Sequence, residues 1–244
     1  MTFDDLEAMT KKSEEISESH HSKPVYNNNN YNNSYNKDKP KINMYEVDFI
    51  TSKKIDTDTF EKSGRSFAVH VFEPNEDIEK KILFVATKLV EEGFVFRHNG
   101  ASDNKLQNKI LEIDNIKVES YLPYPKFNEG IKKATISNFF ELPFNYAAEL
   151  YGQKYNELKK GARAIYASQL QSLLGKDCKN PIDFLLCYSP DGSERHPVYE
   201  KGKKIDYTKL GTLGFFLKVT DASGIATYNF KNDSSITSLI KLIK

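Results

Sequence analysis

The stretch Asp183-Phe184-Leu185-Leu186-Cys187-Tyr188 decides the fold of this chain. After its first residue it is an unbroken apolar run, and prolines at positions 181 and 190 flank it. A strand with one face in water alternates apolar and polar residues, whereas a parallel strand covered on both faces is apolar throughout. The stretch therefore predicts a central parallel strand with helices above and below the sheet.

Strands and helices are predicted to alternate on both sides of this stretch. Runs rich in β-branched and aromatic residues indicate strands, and apolar residues at helical spacing indicate helices. The predicted strands are residues 66–72, 94–97, 117–121, 183–188 and 225–230, and the predicted helices are residues 78–91, 103–112, 146–174, 212–222 and 234–243. Asp77 is a candidate N-cap, and Gly161 is a candidate break in the long helix. This order predicts an α/β fold, a Rossmann-like, mainly parallel sheet with helices on both faces.

The composition changes along the chain and suggests four segments. Residues 1–45 form a low-complexity, Asn-rich arm, and residues 46–64 are expected to be a linker. Residues 65–231 hold the predicted α/β domain, and residues 232–244 read as a C-terminal amphipathic helix. Asparagine tracts bury too little apolar area to offset the cost of ordering, so we expect the arm to be disordered or ordered only by a protein partner.

Charge and cysteine usage limit the compartment and the partners. The formal net charge of the 244 residues is +1, which does not favour strong nonspecific attraction to nucleic acid. The chain has no apolar run long enough to span a membrane, and its acidic first residues do not resemble a secretory signal. Cys178 and Cys187 lack metal-site spacing and are expected to be structural thiols of a reducing compartment, the cytoplasm.

Three turns of small residues follow predicted strands, at residues 99–104, 189–192 and 209–214. Parallel sheets bind ligands past the carboxyl ends of their strands, so we expect these turns to surround a binding site. Gly211 and Thr212 precede a helix, whose first N–H groups suit a phosphate. Asn99, Gly100 and Ser102 are candidates for a second cradle, and the plain alternative for both turns is a strand–helix connection.

Five further residues are candidates, most of them with a simpler alternative. Arg97 either pairs with phosphate or forms an ion pair with Glu119 or another acid. His98 and Asp103 either form a general acid–base pair or are solvated turn residues. Ser189 and Asp191 line the turn after the central strand, where Asp191 is most simply a turn former. Neither a metal nor a cofactor is predicted, and His20-His21 reads as part of a solvated polar tract.

Five stretches, in the order in which they occur here, resemble motifs of the SLOG superfamily of Rossmann-like domains. That superfamily includes DprA-like DNA-processing proteins, LOG hydrolases and the YspA- and YpsA-related proteins, and the similarity is greatest to versions carried by bacteriophages. The stretches are residues 93–103, 119–124, 186–192, 210–212 and 223–230. The resemblance implies binding of a nucleotide or nucleotide-derived small molecule, possible homo-oligomers, and residence in a host cytoplasm or a virion.

Departures from the family motifs bear on activity. Leu210 replaces the first glycine of the family's glycine pair, and Phe215 stands where LOG hydrolases carry the glutamate that assists N-glycosidic cleavage. We therefore expect nucleotide binding without strong catalysis and place a nucleotide N-glycosidase last. The first alternative is a degenerate SLOG domain that serves as a structural or interaction protein of a virion or of host takeover. The second is DprA-like binding of single-stranded DNA through the lysines at positions 201, 203, 204 and 209, which the near-zero net charge disfavours.

Overall fold

The fold is known from a computed structural model, which describes residues 55, 57–61, 64–102, 104–124, 127, 142–194 and 212–243. The arm predicted for residues 1–45 lies outside these described residues, as do two predicted site residues, Asp103 and Gly211.

Five strands form one sheet in the order β3-β2-β1-β4-β5, and every neighbouring pair is parallel. The strands are β1 (Ser66–Val71), β2 (Val95–His98), β3 (Lys117–Ser120), β4 (Phe184–Tyr188) and β5 (Ala226–Asn229). The four residues of β4 from Leu185 to Tyr188 are buried, which confirms the central strand predicted from the apolar run. The predicted fold class, a Rossmann-like α/β sheet, is confirmed as well.

Among the described residues, six α-helices cover the two faces of the sheet. They are α1 (Glu76–Glu91), α2 (Asn104–Leu111), α3 (Phe144–Tyr151), α4 (Lys160–Leu174), α5 (Thr212–Ser223) and α6 (Asp233–Ile243). Helix α1 contacts α2 and α6, whereas α4 contacts α3 and α5. The second group of helices shares a core with Ala68 of β1 and with Leu185 and Cys187 of β4. The helices therefore form two layers with the sheet between them.

The strand order places β1 in the middle of the sheet. The chain moves from β1 outward to β2 and β3, and then returns to the other side of β1 as β4. Strand β1 pairs with β4 from Phe67–Phe184 through Val71–Tyr188, so the two strands run side by side to their carboxyl ends. This reversal makes the carboxyl ends of β1 and β4 the switch point, where open α/β sheets bind ligands.

Two local predictions about helix ends are wrong. The long helical region breaks at Gly152, whose φ of 104° ends α3, and Gly161 lies inside α4. A positive φ costs glycine little, which explains why the chain turns at this glycine. The N-cap of α1 is Asn75, whose Oδ1 accepts the N–H of Ile78 at 2.9 Å, so Asp77 is a first-turn residue.

Part of the segment predicted as a linker packs on the domain. Ile55 is buried in the core shared with α4 and α5, and Phe60 packs against the same core. The backbone N–H of Glu61 donates to the carbonyl of Lys179 at 2.8 Å. These contacts extend the packed domain to residue 55.

Lys218 of α5 is buried, with 8 % of its surface exposed, and its ammonium donates to the carbonyl of Leu150 in the last turn of α3. Burial lowers the pKa of Lys218 to about 8. The folded state therefore releases this proton at a lower pH than the unfolded state. Because the unfolded chain then binds more protons, this residue makes stability rise with pH between about 8 and 10.5.

We predict that Lys218→Met removes this rise. The free energy of unfolding of the variant, relative to wild type, should fall by about 1–3 kcal/mol between pH 8 and pH 10, at about 1.4 kcal/mol per pKa unit. Urea denaturation at a series of pH values measures the difference. Lys241→Met, which removes an exposed lysine of α6, should show no comparable change. The same pH dependence in wild type and Lys218→Met would contradict the prediction.

Candidate functional site

Two connections meet at the carboxyl end of β1. The ring Nε2 of His70 and the hydroxyl of Thr212 are hydrogen-bonded at 3.0 Å, which brings the first residue of α5 to this strand. The N–H of Val71 donates to the hydroxyl of Ser102 at 3.0 Å, so the turn after β2 folds over the same strand end. Two of the three predicted turns therefore lie together at the switch point.

The amino terminus of α5 suits an anion better than that of α1. The first turn of α1 contains Glu76, Asp77 and Glu79, and its N-cap, Asn75, already accepts a backbone N–H. The first turn of α5 contains no acidic residue. Since a helix amino terminus carries a partial positive charge that acidic side chains offset, the start of α5 is the more favourable of the two for a negatively charged group.

The turn after β2 is anchored by its first residue. The side-chain amide of Asn99 donates to the hydroxyl of Ser168 at 3.3 Å and to the carbonyl of Ile165 at 3.5 Å, both on α4. Its Oδ1 accepts the N–H of Ala101 at 3.1 Å. Gly100 has a φ of 75°, a conformation that favours glycine. Asn99 thus holds the turn in place rather than facing a ligand with a free amide.

His70 is a residue that sequence reasoning missed. It is only 2 % exposed and stacks on Phe216 of α5, with 4.4 Å between ring centroids. Burial lowers the pKa of His70 to about 3, so the ring is neutral at physiological pH. Its Nδ1 has no hydrogen-bond partner among the described residues. The one sequence signal was a polar residue near the end of an otherwise apolar predicted strand.

His98 lies in β2 and is engaged inside the fold. Its Nε2 and the Ser120 hydroxyl are hydrogen-bonded at 2.8 Å, and its ring stacks on Phe96. Phe96 also packs on Phe67, whose side chain points to the face of β1 opposite His70 because successive residues of a strand alternate. Burial lowers the pKa of His98 to about 4. His98 is therefore buried and neutral, and the pairing predicted with Asp103 lies outside the described residues.

Arg97 is held away from the switch point. Its Nη1 donates to the carbonyl of Asn180 at 2.6 Å, in the segment that leads into the amino end of β4. Its Nε lies 2.6 Å from a carboxylate oxygen of Glu119, the residue beside it in β3. Of the two interpretations of Arg97, the structure thus shows the ion pair with Glu119.

The turn after β4 is tied to the end of β5. The amide of Asn229 donates to the hydroxyl of Ser189 at 2.8 Å and to the carbonyl of Ser193 at 2.7 Å. Asp191 accepts the N–H and the hydroxyl of Ser193 at 3.2 and 2.6 Å, which is the turn-forming role considered for it. Ser189 is buried and Asp191 is exposed. This third turn is therefore organised by bonds within the chain.

Glu194 completes that organisation and was not predicted. Its carboxylate accepts the N–H of Asn229 at 3.1 Å, the amide of Asn232 at 3.1 Å and the hydroxyl of Ser235. Ser235 belongs to the first turn of α6. The chain's own carboxylate therefore lies at the amino terminus of α6, a favourable position for negative charge.

Other kinds of site are not indicated by the described residues. They contain no cluster of three histidine, cysteine or acidic side chains placed to hold a metal ion. None of their helices is long and apolar enough to cross a bilayer. An open depression of about 450 Å³ is lined by residues 111–116 and Val118. It lies at the amino end of β3, whereas the switch point lies at the carboxyl ends of the strands.

Comparisons of the chain with protein-family models, with curated proteins and with solved structures find no significant match.

The two buried histidines predict loss of stability in acid. In the unfolded chain their pKa returns to the ordinary histidine value of 6.5, so below that pH the unfolded state binds protons that the folded state does not. Stability should therefore fall as the pH drops from 6.5 toward 4 for His98 and toward 3 for His70. Each histidine contributes about 2 kcal/mol of this loss between pH 7 and pH 5.

His98→Gln isolates one of these contributions, because the glutamine amide can keep a hydrogen bond to Ser120. Between pH 7 and pH 5 the variant should lose about 2 kcal/mol less than wild type, by denaturant titration at each pH. Replacement of His20 and His21 in the predicted arm by glutamine is the matched control and should follow wild type. Equal losses in wild type and His98→Gln would refute the assignment.

Proposed function

We propose that this domain binds a nucleotide or a nucleotide derivative at the carboxyl edge of its sheet, without strong catalysis. A phosphate of the ligand binds at the amino terminus of α5, beside the turn of residues 99–102. The observation that carries the proposal is the 3.0 Å hydrogen bond between His70 and Thr212. That bond fixes the first residue of α5 at the end of the central strand, where an α/β sheet of this order binds ligands.

The physical chemistry of the site supports an anionic ligand. The first N–H groups of a helix lack intrahelical partners, and they point toward any group beyond the helix start. Together with the helix dipole they favour phosphate, and at α5 no acid in the first turn opposes it. The sequence resemblance to the SLOG superfamily supports a nucleotide as the source of that phosphate.

Phe215, the fourth residue of α5, supports binding rather than hydrolysis. Phe215 stands at the position of the LOG glutamate, and its side chain is fully buried in the aromatic core with Tyr151 and Tyr166. A phenyl ring can neither accept a proton nor stabilise a developing positive charge as a carboxylate does. Burial lowers the pKa of His70 to about 3 and that of His98 to about 4, so both rings are weaker bases than an ordinary histidine and carry no negative charge as that glutamate does.

A second candidate function, an interaction or structural scaffold, is favoured by a different observation. Arg97, His98, Asn99 and Ser189 are buried, and each forms hydrogen bonds or ion pairs within the fold. Polar side chains that are satisfied internally stabilise a fold without serving a ligand. For single-stranded DNA binding, the lysines at positions 201, 203, 204 and 209 lie outside the described residues.

We predict that Thr212→Glu abolishes nucleotide binding while the domain stays folded. A carboxylate in the first turn of a helix is favourable for the helix but repels a phosphate at the same place. In wild type, a panel of nucleoside mono-, di- and triphosphates should raise the melting temperature, and in Thr212→Glu it should not. Thr212→Ser, which keeps the hydroxyl toward His70, should respond as wild type does.

Ser234→Glu is the matched control, because it places the same new charge in the first turn of α6, at an exposed position. This variant should bind nucleotides as wild type does. If no nucleotide shifts the melting temperature of the wild-type protein, the binding function is rejected and the scaffold function is favoured. If Thr212→Glu binds as tightly as wild type, the ligand does not lie at α5.

A further inference from the structure

An aromatic pair, exposed Tyr124 and partly buried Phe127, lies on the same edge of the sheet as the proposed site. Tyr124 follows the end of β3, and its side chain is 41 % exposed. The ring of Phe127 meets it edge to face, with centroids 5.0 Å apart. Edge-to-face packing supports one ring while leaving its broad face available. Tyr124 therefore presents an aromatic surface at the carboxyl edge.

Packing contacts with α4 connect this tyrosine to the turn at the switch point. A Cβ at Gly161 would lie 3.8 Å from the Tyr124 ring, so the ring lies against the first turn of α4. One helical turn further along α4, the carbonyl of Ile165 accepts the amide of Asn99. Residues four apart lie on the same side of a helix, so Tyr124 and the Asn99 turn are neighbours along α4.

The spacing between Tyr124 and the start of α5 suits one small ligand. Tyr124 follows β3, whereas Thr212 is bonded to β1, and β2 lies between these two strands. Neighbouring strands are separated by just under 5 Å, so β3 and β1, which lead to these two positions, are about 10 Å apart across the sheet. A nucleoside phosphate with its phosphate at α5 extends over a comparable distance to its base.

The backbone around Tyr124 is restrained before any ligand binds. Proline precedes and follows this residue in the sequence, at positions 123 and 125. Proline fixes its own φ and limits the residue before it to extended conformations. The N–H of Phe127 donates to the carbonyl of Tyr124 at 3.1 Å, which closes a turn. A ring held in this way loses little conformational entropy when a planar ligand binds to it.

We infer that Tyr124 is the residue on which the base of the bound nucleotide stacks, with Phe127 supporting its ring. This inference rests on the proposed nucleotide site and gives a base-binding role to Tyr124, the last residue of the motif stretch 119–124, which was not among the predicted site residues. Aromatic stacking is tolerant of the base because every base has a π face. The ligand class is therefore a nucleotide with an intact base, and a sugar phosphate lacks the group that Tyr124 contacts.

The 244-residue chain contains no tryptophan, so Tyr124→Trp supplies a single fluorescent reporter at this position. The four ribonucleoside 5′-monophosphates should quench its emission, whereas ribose 5-phosphate should bind without comparable quenching. Calorimetric titration should show that Tyr124→Ala weakens the monophosphates that bind wild type by roughly 5- to 150-fold. Its affinity for ribose 5-phosphate should remain that of wild type.

Phe144→Ala removes another exposed aromatic side chain and should leave both affinities unchanged. If wild type binds the ribose phosphate and a monophosphate, but Tyr124→Ala binds the monophosphate equally well, the stacking role is overturned and the phosphate site stands. If wild type binds neither probe, the proposed function fails together with the inference. If Tyr124→Ala changes only the oligomeric state in sedimentation, the aromatic pair is a protein contact, which overturns the inference.

Discussion

The structure depends on the complete burial of one strand, β1. All six of its residues are buried, because β2 and β4 cover its edges and helices cover its two faces. An apolar strand in this position contributes about 25 cal/mol for each Å² of apolar surface removed from water. Its backbone groups must pair with neighbours, since an unpaired buried N–H or carbonyl is costly. A central strand with two parallel neighbours meets both requirements.

The same constraint creates the candidate site. The chain passes from β1 to β2 on one side and later reaches β4 on the other side. The connections on the two sides therefore separate at the carboxyl ends of the strands. Beyond the last pair of β1 with β2, the N–H of Val71 has no strand partner on that side and donates to the hydroxyl of Ser102 instead. The side chain of His70, one residue earlier, is hydrogen-bonded to the hydroxyl of Thr212. Ser102 and Thr212, which are distant from β1 in the sequence, thus bond to residues at the end of this strand and line the candidate site.

The buried charges of Arg97 and Glu79 are paired within the domain. Arg97 pairs with Glu119 and the Asn180 carbonyl, while Glu79, itself buried, pairs with Lys105 and Lys109. These ion pairs and hydrogen bonds avoid unpaired buried charge. The proposed recognition of an anion at α5 therefore depends on backbone N–H groups, a hydroxyl and a helix dipole in the described part of the edge. An aromatic ring such as Tyr124 is a fitting second element, because it adds contact area without adding charge.

Sequence by itself determined the elements and their order. The apolar run of residues 184–188 required a strand buried on both faces. Helical spacing of apolar residues located the helices within a few positions, except that residues 146–174 form two helices separated at residues 152–159. It also placed three small-residue turns after strands, where the parallel sheet later brought two of them together. These features are local, because composition and periodicity over a few residues decide which side of an element avoids water.

Only the tertiary structure decided the partners of the polar residues. Arg97 and Asn180 are 83 positions apart, and His70 and Thr212 are 142 apart, so no local pattern joins either pair. Only the structure likewise shows that the helix breaks at Gly152 and not at Gly161, since either glycine tolerates a turn. A side chain's chemistry says what it can bond, but the fold determines which donor or acceptor lies within 3 Å of it. For that reason the sequence indicated the edge of the sheet where the candidate site lies. The structure determined which residues at this edge already form hydrogen bonds or ion pairs within the fold.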